Sequence, residues 1–231
     1  MIVLPLVQIH ESILIVNIHG KQKHFPLKAL PAEFIEWQIG ERRSLFQSLQ
    51  QGKEPVFLSP HLPTLLSLNR DFDDFPVNAA CKGVGLVPID SLLETLAKRL
   101  RSINAGLQDI EFKDSLPDRT QAVELLFGDK EKINQYALGG LEIFETKSFL
   151  NITQDPRVSL FFVTGSPTYK SYQMNCIAEV IDSGQPFYEF VTSTRNLFER
   201  AKFHFKQTKY PYAIKYHVVE ILDKSLQVRG Q

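Results

Sequence analysis

Several absences narrow what this chain can be. It contains only two cysteines, Cys81 and Cys176. Two thiols cannot build a four-cysteine zinc site, and their separation offers no CxxC redox pair. Net charge is absent too, because 26 basic side chains balance 26 acidic ones. Nothing global therefore draws the chain to nucleic acid or to an anionic membrane. No apolar run approaches the roughly 18 residues that span a bilayer. The start, MIVLPLVQIHES, has neither a basic leader nor a small-residue cleavage site. A reduced, cytoplasmic protein is expected, with no membrane contact. Repeats and low-complexity tracts are also missing.

Signature loops are missing as well. Gly83 to Pro88 (GVGLVP) lacks the third glycine and the Lys-Ser/Thr pair of a phosphate loop. Asp71, Asp73 and Asp74 lack the spacing of a calcium loop. Ser166 sits in TGSPT, which is no nucleophile elbow. Asp182 and Glu189 form only the kind of acid–base pair that any chain of this length offers.

What remains is a chain of 231 residues, 43% hydrophobic and rich in phenylalanine, with 17. Such a composition fills a core. Residues 2 to 27 read as a meander of three strands, broken at His10-Glu11-Ser12 and Gly20-Lys21. Pro31 to Gln51 reads as a helix, and 52 to 78 as irregular because of its prolines. Asp90-Ser91 with Glu94 resembles a capping box for a helix ending at Gly106. Leu107 to Phe112 suits a strand, Thr120 to Phe127 suits helix or strand equally, and Asp129 to Ala137 suits a short helix. Residues 1–88 are set apart as an N-terminal strand-helix region, and 89–231 as the main domain.

The informative stretch runs from Gly140 to Ile181. It predicts a strand at Leu141 to Phe144, a short helix or turn ending at Asp155-Pro156, and strands at Arg157 to Thr164 and Ser171 to Ile181. In the second of these, Val158, Leu160 and Phe162 should share one face and Ser159 and Phe161 the other. Pro186 to Gln207 reads as helix and Ala213 to Ile221 as strand.

Within this stretch, Lys147, Asn151, Asp155-Pro156, Arg157-Val158-Ser159-Leu160 and Gln173 follow a recognisable order. The order resembles the pyridoxamine 5′-phosphate oxidase-like split-barrel flavin-binding family, from Gly140 to the C-terminus. The resemblance implies an α+β fold: a mostly antiparallel split β-barrel with flanking helices, preceded here by the N-terminal β-meander and helix. It implies FMN as cofactor, a flavin-dependent oxidoreductase and a homodimer with the cofactor between subunits. In the family two basic residues hold the flavin phosphate and the glutamine faces the isoalloxazine. Lys147 matches the first basic position and Gln173 the glutamine, but Ser148 stands at the second. Thr146, Lys147 and Ser148 would then share the phosphate, with fewer charge-assisted contacts than two lysines give.

That departure keeps two alternatives open. One is haem in the barrel, with His204 or His217 as axial ligand. The other is a non-catalytic binding module with no cofactor, engaging a protein partner through residues 1–88. The basic and aromatic run Arg195, Arg200, Lys202, His204, Lys206 and Lys209, with Phe198, Phe203, Phe205, Tyr210 and Tyr212, has the composition of a single-strand binding face. It reads better as one buried and one exposed helix face, so nucleic acid is not expected as a partner.

Overall fold

A computed structural model describes residues 7–53, 60–69, 75–164, 169–199 and 209–225. The chain opens with a three-stranded antiparallel meander: β1 (Val7–His10), β2 (Ile13–Ile18) and β3 (Lys21–Pro26). Both of its hairpins have two-residue loops with positive φ at each position, Glu11 and Ser12, then His19 and Gly20. That is the loop geometry whose twist matches paired strands. Leu14, Val16 and Ile18 alternate inward.

Helix α1 (Ala32–Gln50) follows Pro31. Three strands then come from the region the sequence marks as irregular or merely apolar: β4 (Thr64–Leu68), β5 (Val77–Cys81) and β6 (Val84–Pro88). The prolines do break that region, but five residues of alternating TLLSL fit between Pro63 and Pro76. After β6 come α2 (Leu93–Gly106), α3 (Phe112–Phe127), β7 (Ile133–Glu142), α4 (Lys147–Gln154), β8 (Arg157–Thr164), β9 (Lys170–Asp182), α5 (Pro186–Asn196) and β10 (Tyr212–Asp223).

Seven strands form one antiparallel sheet in the order β5-β4-β8-β9-β10-β7-β6. Residues 64–88 supply three of them and residues 133–223 the other four, so the sheet spans the division drawn at residue 88. The architecture is α+β, with an N-terminal meander and helix followed by a seven-stranded antiparallel sheet and its flanking helices. Its two edge strands, β5 and β6, are neighbours in sequence, separated only by Lys82 and Gly83.

The ladder fixes which side chains share a face. Val158, Leu160 and Phe162 pair across to Cys176, Met174 and Tyr172 and are all buried. Ser159 and Phe161 face the other way with Asn175 and Gln173, as the alternation predicts. The inner face is covered by α1: Phe34 is fully buried and lies edge-on to Phe162 at 5.1 Å and to Tyr172 at 5.3 Å. The outer face is covered piecewise. The meander packs Leu14, Val16 and Ile18 on Ile177. Phe187 of α5 lies over β7 and β10, 5.5 Å from the Lys215 ammonium. There Gly139 has no room for a Cβ, which would fall 2.8 Å from the Phe187 ring.

Three local expectations are corrected. Leu107 to Phe112 is not a strand. It leads by turns into α3, which holds despite Pro117 within it. The buried Arg119 fastens that helix, donating to Ser115 Oγ (2.8 Å) and to the carbonyls of Leu197 (2.9 Å) and Leu107 (3.0 Å). Asp129 to Ala137 is not a helix. After a 3₁₀ turn at Lys130–Lys132 it becomes β7, because pairing with both β6 and β10 buries Ile133, Ala137 and Leu138. Asp90 makes no side-chain cap; its carboxylate instead takes the Lys215 ammonium at 2.8 Å. Helix α5 ends at Asn196, and residues 200–208 lie outside the described residues.

The meander is tied to the sheet by Asp155, whose side chain is 1% exposed. One carboxylate oxygen accepts from the Arg157 backbone N–H (3.1 Å) and Nε (2.9 Å). The other accepts from Arg157 Nη2 (2.6 Å) and faces His19 Nε2 at 3.0 Å. Burial by itself would raise the Asp155 pKa, but the hydrogen bonds and charge of Arg157, helped by His19, hold it below the ordinary carboxylate value. A depressed folded pKa contributes stability above the unfolded value of about 3.9, lost as pH falls through the folded value. Asp155→Asn is expected to cost about 1–3 kcal/mol at pH 7. The deficit should shrink as pH falls below the unfolded value of about 3.9, as read by urea unfolding across that range.

Candidate functional site

The four residues that the sequence nominates lie around α4 and on β9. Glu142, at the end of β7, organises the approach to α4. Its side chain is 2% exposed and its Oε2 takes the Lys82 ammonium at 2.9 Å. Its Oε1 accepts from three successive backbone N–H groups, those of Ile143 (3.2 Å), Phe144 (3.1 Å) and Glu145 (2.9 Å). Glu145 takes a positive φ of 48° there, a conformation few side chains adopt without such support. The turn delivers the chain to Thr146, the N-cap of α4.

Thr146 and Lys147 are both exposed. The Thr146 hydroxyl makes no capping bond. The first intrahelical donors, Phe149 and Leu150, both bond the Thr146 carbonyl, at 2.9 and 3.1 Å. The N–H groups of Lys147 and Ser148 are those a helix start leaves without an intrahelical acceptor. An exposed ammonium, an unused hydroxyl and two outward N–H groups therefore share this helix end, where the dipole is positive.

Ser148 is placed differently. It is 1% exposed and its Oγ accepts from Asn78 Nδ2 of β5 at 2.9 Å. One turn on, the buried Asn151 donates to Ser67 Oγ (3.0 Å) and Asn69 Oδ1 (2.8 Å). Between them Phe149, fully buried, stacks on Tyr212 at 5.0 Å. The helix is thus held on the inner face by two polar clasps and one ring stack.

Gln173 lies on the opposite face. Asn78, Ser67, Val158 and Cys176 form one row across β5, β4, β8 and β9. Cys81, Thr64, Phe161 and Gln173 form another, three residues away on every strand. Three residues along a strand is a change of face. There Gln173 Nε2 donates to Asn175 Oδ1 at 3.2 Å, Ser159 Oγ donates to the same oxygen at 2.5 Å, and Asn175 Nδ2 donates to Glu220. Around this polar ladder the outer face is apolar and uncovered, with Val163 46% and Leu222 38% exposed. Within one chain, then, Thr146 and Lys147 come together, Ser148 points into the interior beneath them, and Gln173 is on the other side of the sheet.

Beside Thr146 an open cleft of about 690 Å³ is lined by residues that include Ile143, Phe144, Glu145, Asp182, Lys209 and Tyr212. Its size falls in the range of small-molecule sites. Sequence reasoning did not reach this cleft, because Asp182 and Tyr212 meet only through the pairing of β9 with β10. Glu142 was likewise missed; one acidic residue at a strand end carries no signal until its three backbone partners are seen.

The remaining candidates are quickly placed. His217 is 2% exposed and its Nε2 lies 2.7 Å from Glu179, so it is engaged rather than presented as an axial ligand. His204 lies outside the described residues, as do Arg200, Lys202, Phe203, Phe205 and Lys206, and also Ser166 and the Asp71, Asp73, Asp74 group. Phe198 stacks on Phe46 at 4.8 Å and Tyr210 is 2% exposed, so these two aromatics serve the core. The buried Cys176 thiol is pushed well up by desolvation, and Cys81 is an exposed thiol. Among the described residues no three His, Cys, Asp or Glu side chains converge as a metal site. No described helix is long and apolar enough to cross a membrane.

No family model and no curated protein matches the chain. Solved structures similar to it include an FMN-binding protein from Syntrophomonas wolfei subsp. wolfei, at 11% identity and a TM-score of 0.40 over 85% of this chain and 95% of that one. HupZ from Group A Streptococcus gives 10% and 0.40 over 71% and 86%. HutZ, the haem storage protein from Vibrio cholerae, gives 7% and 0.39 over 77% and 90%. At such identities the ligand has to be argued from this chain's own side chains.

Removing the Glu142 carboxylate should unmake the turn before α4. Glu142→Ala is expected to cost about 3 kcal/mol, since it strands Lys82 and three N–H groups together. Amide exchange at residues 143–145 should accelerate in the same variant while β8 and β9 stay protected.

Proposed function

We propose that this chain is an FMN-binding protein whose phosphate site is the N-terminus of α4. The observation that carries the reading is the exposed pair Thr146 and Lys147 at a helix start with outward N–H groups. These groups suit a phosphate dianion: one charge-assisted contact, one hydroxyl and two backbone donors. Ser148 contributes its backbone N–H and not its hydroxyl, which Asn78 already holds. Bound flavin would supply hydride or electron transfer, making the protein a flavin-dependent oxidoreductase. The chain's part is to hold the phosphate, keep the Glu142 turn rigid and orient the ring.

Gln173 enters this reading through a second copy of the chain. It cannot reach the same protomer's α4 from the opposite face, yet it stands among uncovered apolar side chains, including Val163 and Leu222. A homodimer joined on that face would bury them and bring Gln173 toward a ring bound at the subunit boundary. The uncovered β1–β3 hairpins, with Ile9 49% and Ile13 41% exposed, favour a second reading, a non-catalytic module that engages a protein through the N-terminal region.

A fluorescence titration of the purified protein with FMN separates the two. Saturable quenching at one FMN per chain supports the first reading, and Lys147→Ala should then weaken binding about tenfold or more. Val163→Asp should yield a monomer by light scattering and lose affinity with it. A protein that takes up no FMN leaves the flavin reading without support and puts the binding module in front.

A further inference from the structure

Arg42, on α1, is the best enclosed cation without a partner among the described residues. Other arginines are engaged: the exposed Arg43 with Glu124, Arg101 with Glu189 and Arg157 with Asp155, and the buried Arg119 with three acceptors. Arg99 is simply exposed. Arg42 is neither. Most of its surface is covered, it forms no hydrogen bond or ion pair, and burial pulls its pKa down to about 10 with no carboxylate opposing the shift. An enclosed charge without a counter-charge is costly.

Its surroundings are backbone at the edge of the sheet, with no carboxylate of the described residues among the contacts. One turn back on the helix, Gln38 is buried and donates to the Pro60 carbonyl at 3.1 Å. The next residue, His61, accepts the Val84 N–H at 3.0 Å. Gly85 follows, and a Cβ there would lie 3.2 Å from Arg42 Nη2, so the fork rests on bare β6 backbone. β6 is an edge strand, and the alternation that turns the Val84 N–H outward turns that of Leu86 outward also. Arg42 as a whole residue is partly exposed, so a ligand can reach it from solvent.

We propose that Arg42, resting on Gly85 at the β6 edge, is a binding site for a small oxyanion, a phosphate or carboxylate group that the guanidinium takes bidentately. The site is separate from the α4 terminus and does not depend on the flavin reading.

The test is thermal unfolding at constant ionic strength, in a Lys147→Ala background so that anion binding at α4 is weakened. Inorganic phosphate should raise the melting temperature saturably, by about 5 °C. Malonate, tested alongside, shows whether carboxylate or phosphate is preferred. Arg42→Met should melt at or above the parent in anion-poor buffer and show no anion-dependent rise. Arg42→Lys, kept as a second variant in case the first fails to fold, should retain the charge but bind at least about tenfold more weakly. A melting temperature that follows ionic strength alone, or an equal rise in the Arg42 variants, overturns the proposal.

Discussion

The structure depends on covering the inner face of its sheet, and Phe34 is where that is achieved. A seven-stranded antiparallel sheet with Leu160, Phe162, Tyr172 and Met174 on one face cannot leave that face wet. Phe34 meets two of these rings edge-on and sits 5.8 Å from Trp37. Each such pair is worth about 0.5–1.5 kcal/mol beyond its buried area. Once α1 is seated there, the segment before it has little freedom. Lys28 N–H bonds the Val218 carbonyl and Leu30 N–H the Gln135 carbonyl, both at 2.7–2.8 Å, which lays the linker across β10 and β7. The meander therefore lands on the outer face, where Ile177 receives it and His19 reaches Asp155.

With α1 on the inner face and the meander and α5 on the outer one, two regions are left to do something else. One is the start of α4, where the chain must enter the inner face from the end of β7. The other is the outer face of β4, β8 and the first half of β9. Under the proposed flavin reading, Lys147 at the α4 start and Gln173 on the other face would meet one ligand only if two chains share it. A serine at position 148 fits the inner-face geometry. A lysine there would have to bury its ammonium against Asn78, at a large desolvation cost. The serine is a structural choice, a hydroxyl that clasps helix to sheet, and it leaves Lys147 alone with the charge.

Much of this was legible in the chain and some was not, for identifiable reasons. The meander could be read because its turns need polar residues and glycine at fixed places. β8 and β9 could be read because their apolar residues alternate with polar ones on a sheet with one dry face. β4 could not, since prolines on both sides mask five ordinary strand residues. β7 could not either: INQYALGG alternates poorly, and what makes it a strand is a partner on each side, β6 and β10. α3 was hidden by Pro117, whose disruption the Arg119 bonds offset from within the helix. Of the candidate site, the segment and Lys147 were visible. The burial of Ser148 was not, because its partner lies 70 residues earlier on a strand that was itself unread.

The same reasoning separates two kinds of buried polar group in this protein. Asp155, Glu142 and Arg119 each satisfy several partners, and each joins segments distant in sequence: meander to sheet, β6 edge to α4, α3 to α5's end. Such groups offset their desolvation and fix one arrangement of the chain. Arg42 joins nothing, although it stands where α1, the 60–63 loop and β6 meet. A charged head that makes no bond there leaves its desolvation cost without an offset. The chain tolerates that cost at one position, next to the one glycine of β6, and the tolerance is what an anion arriving from outside would remove.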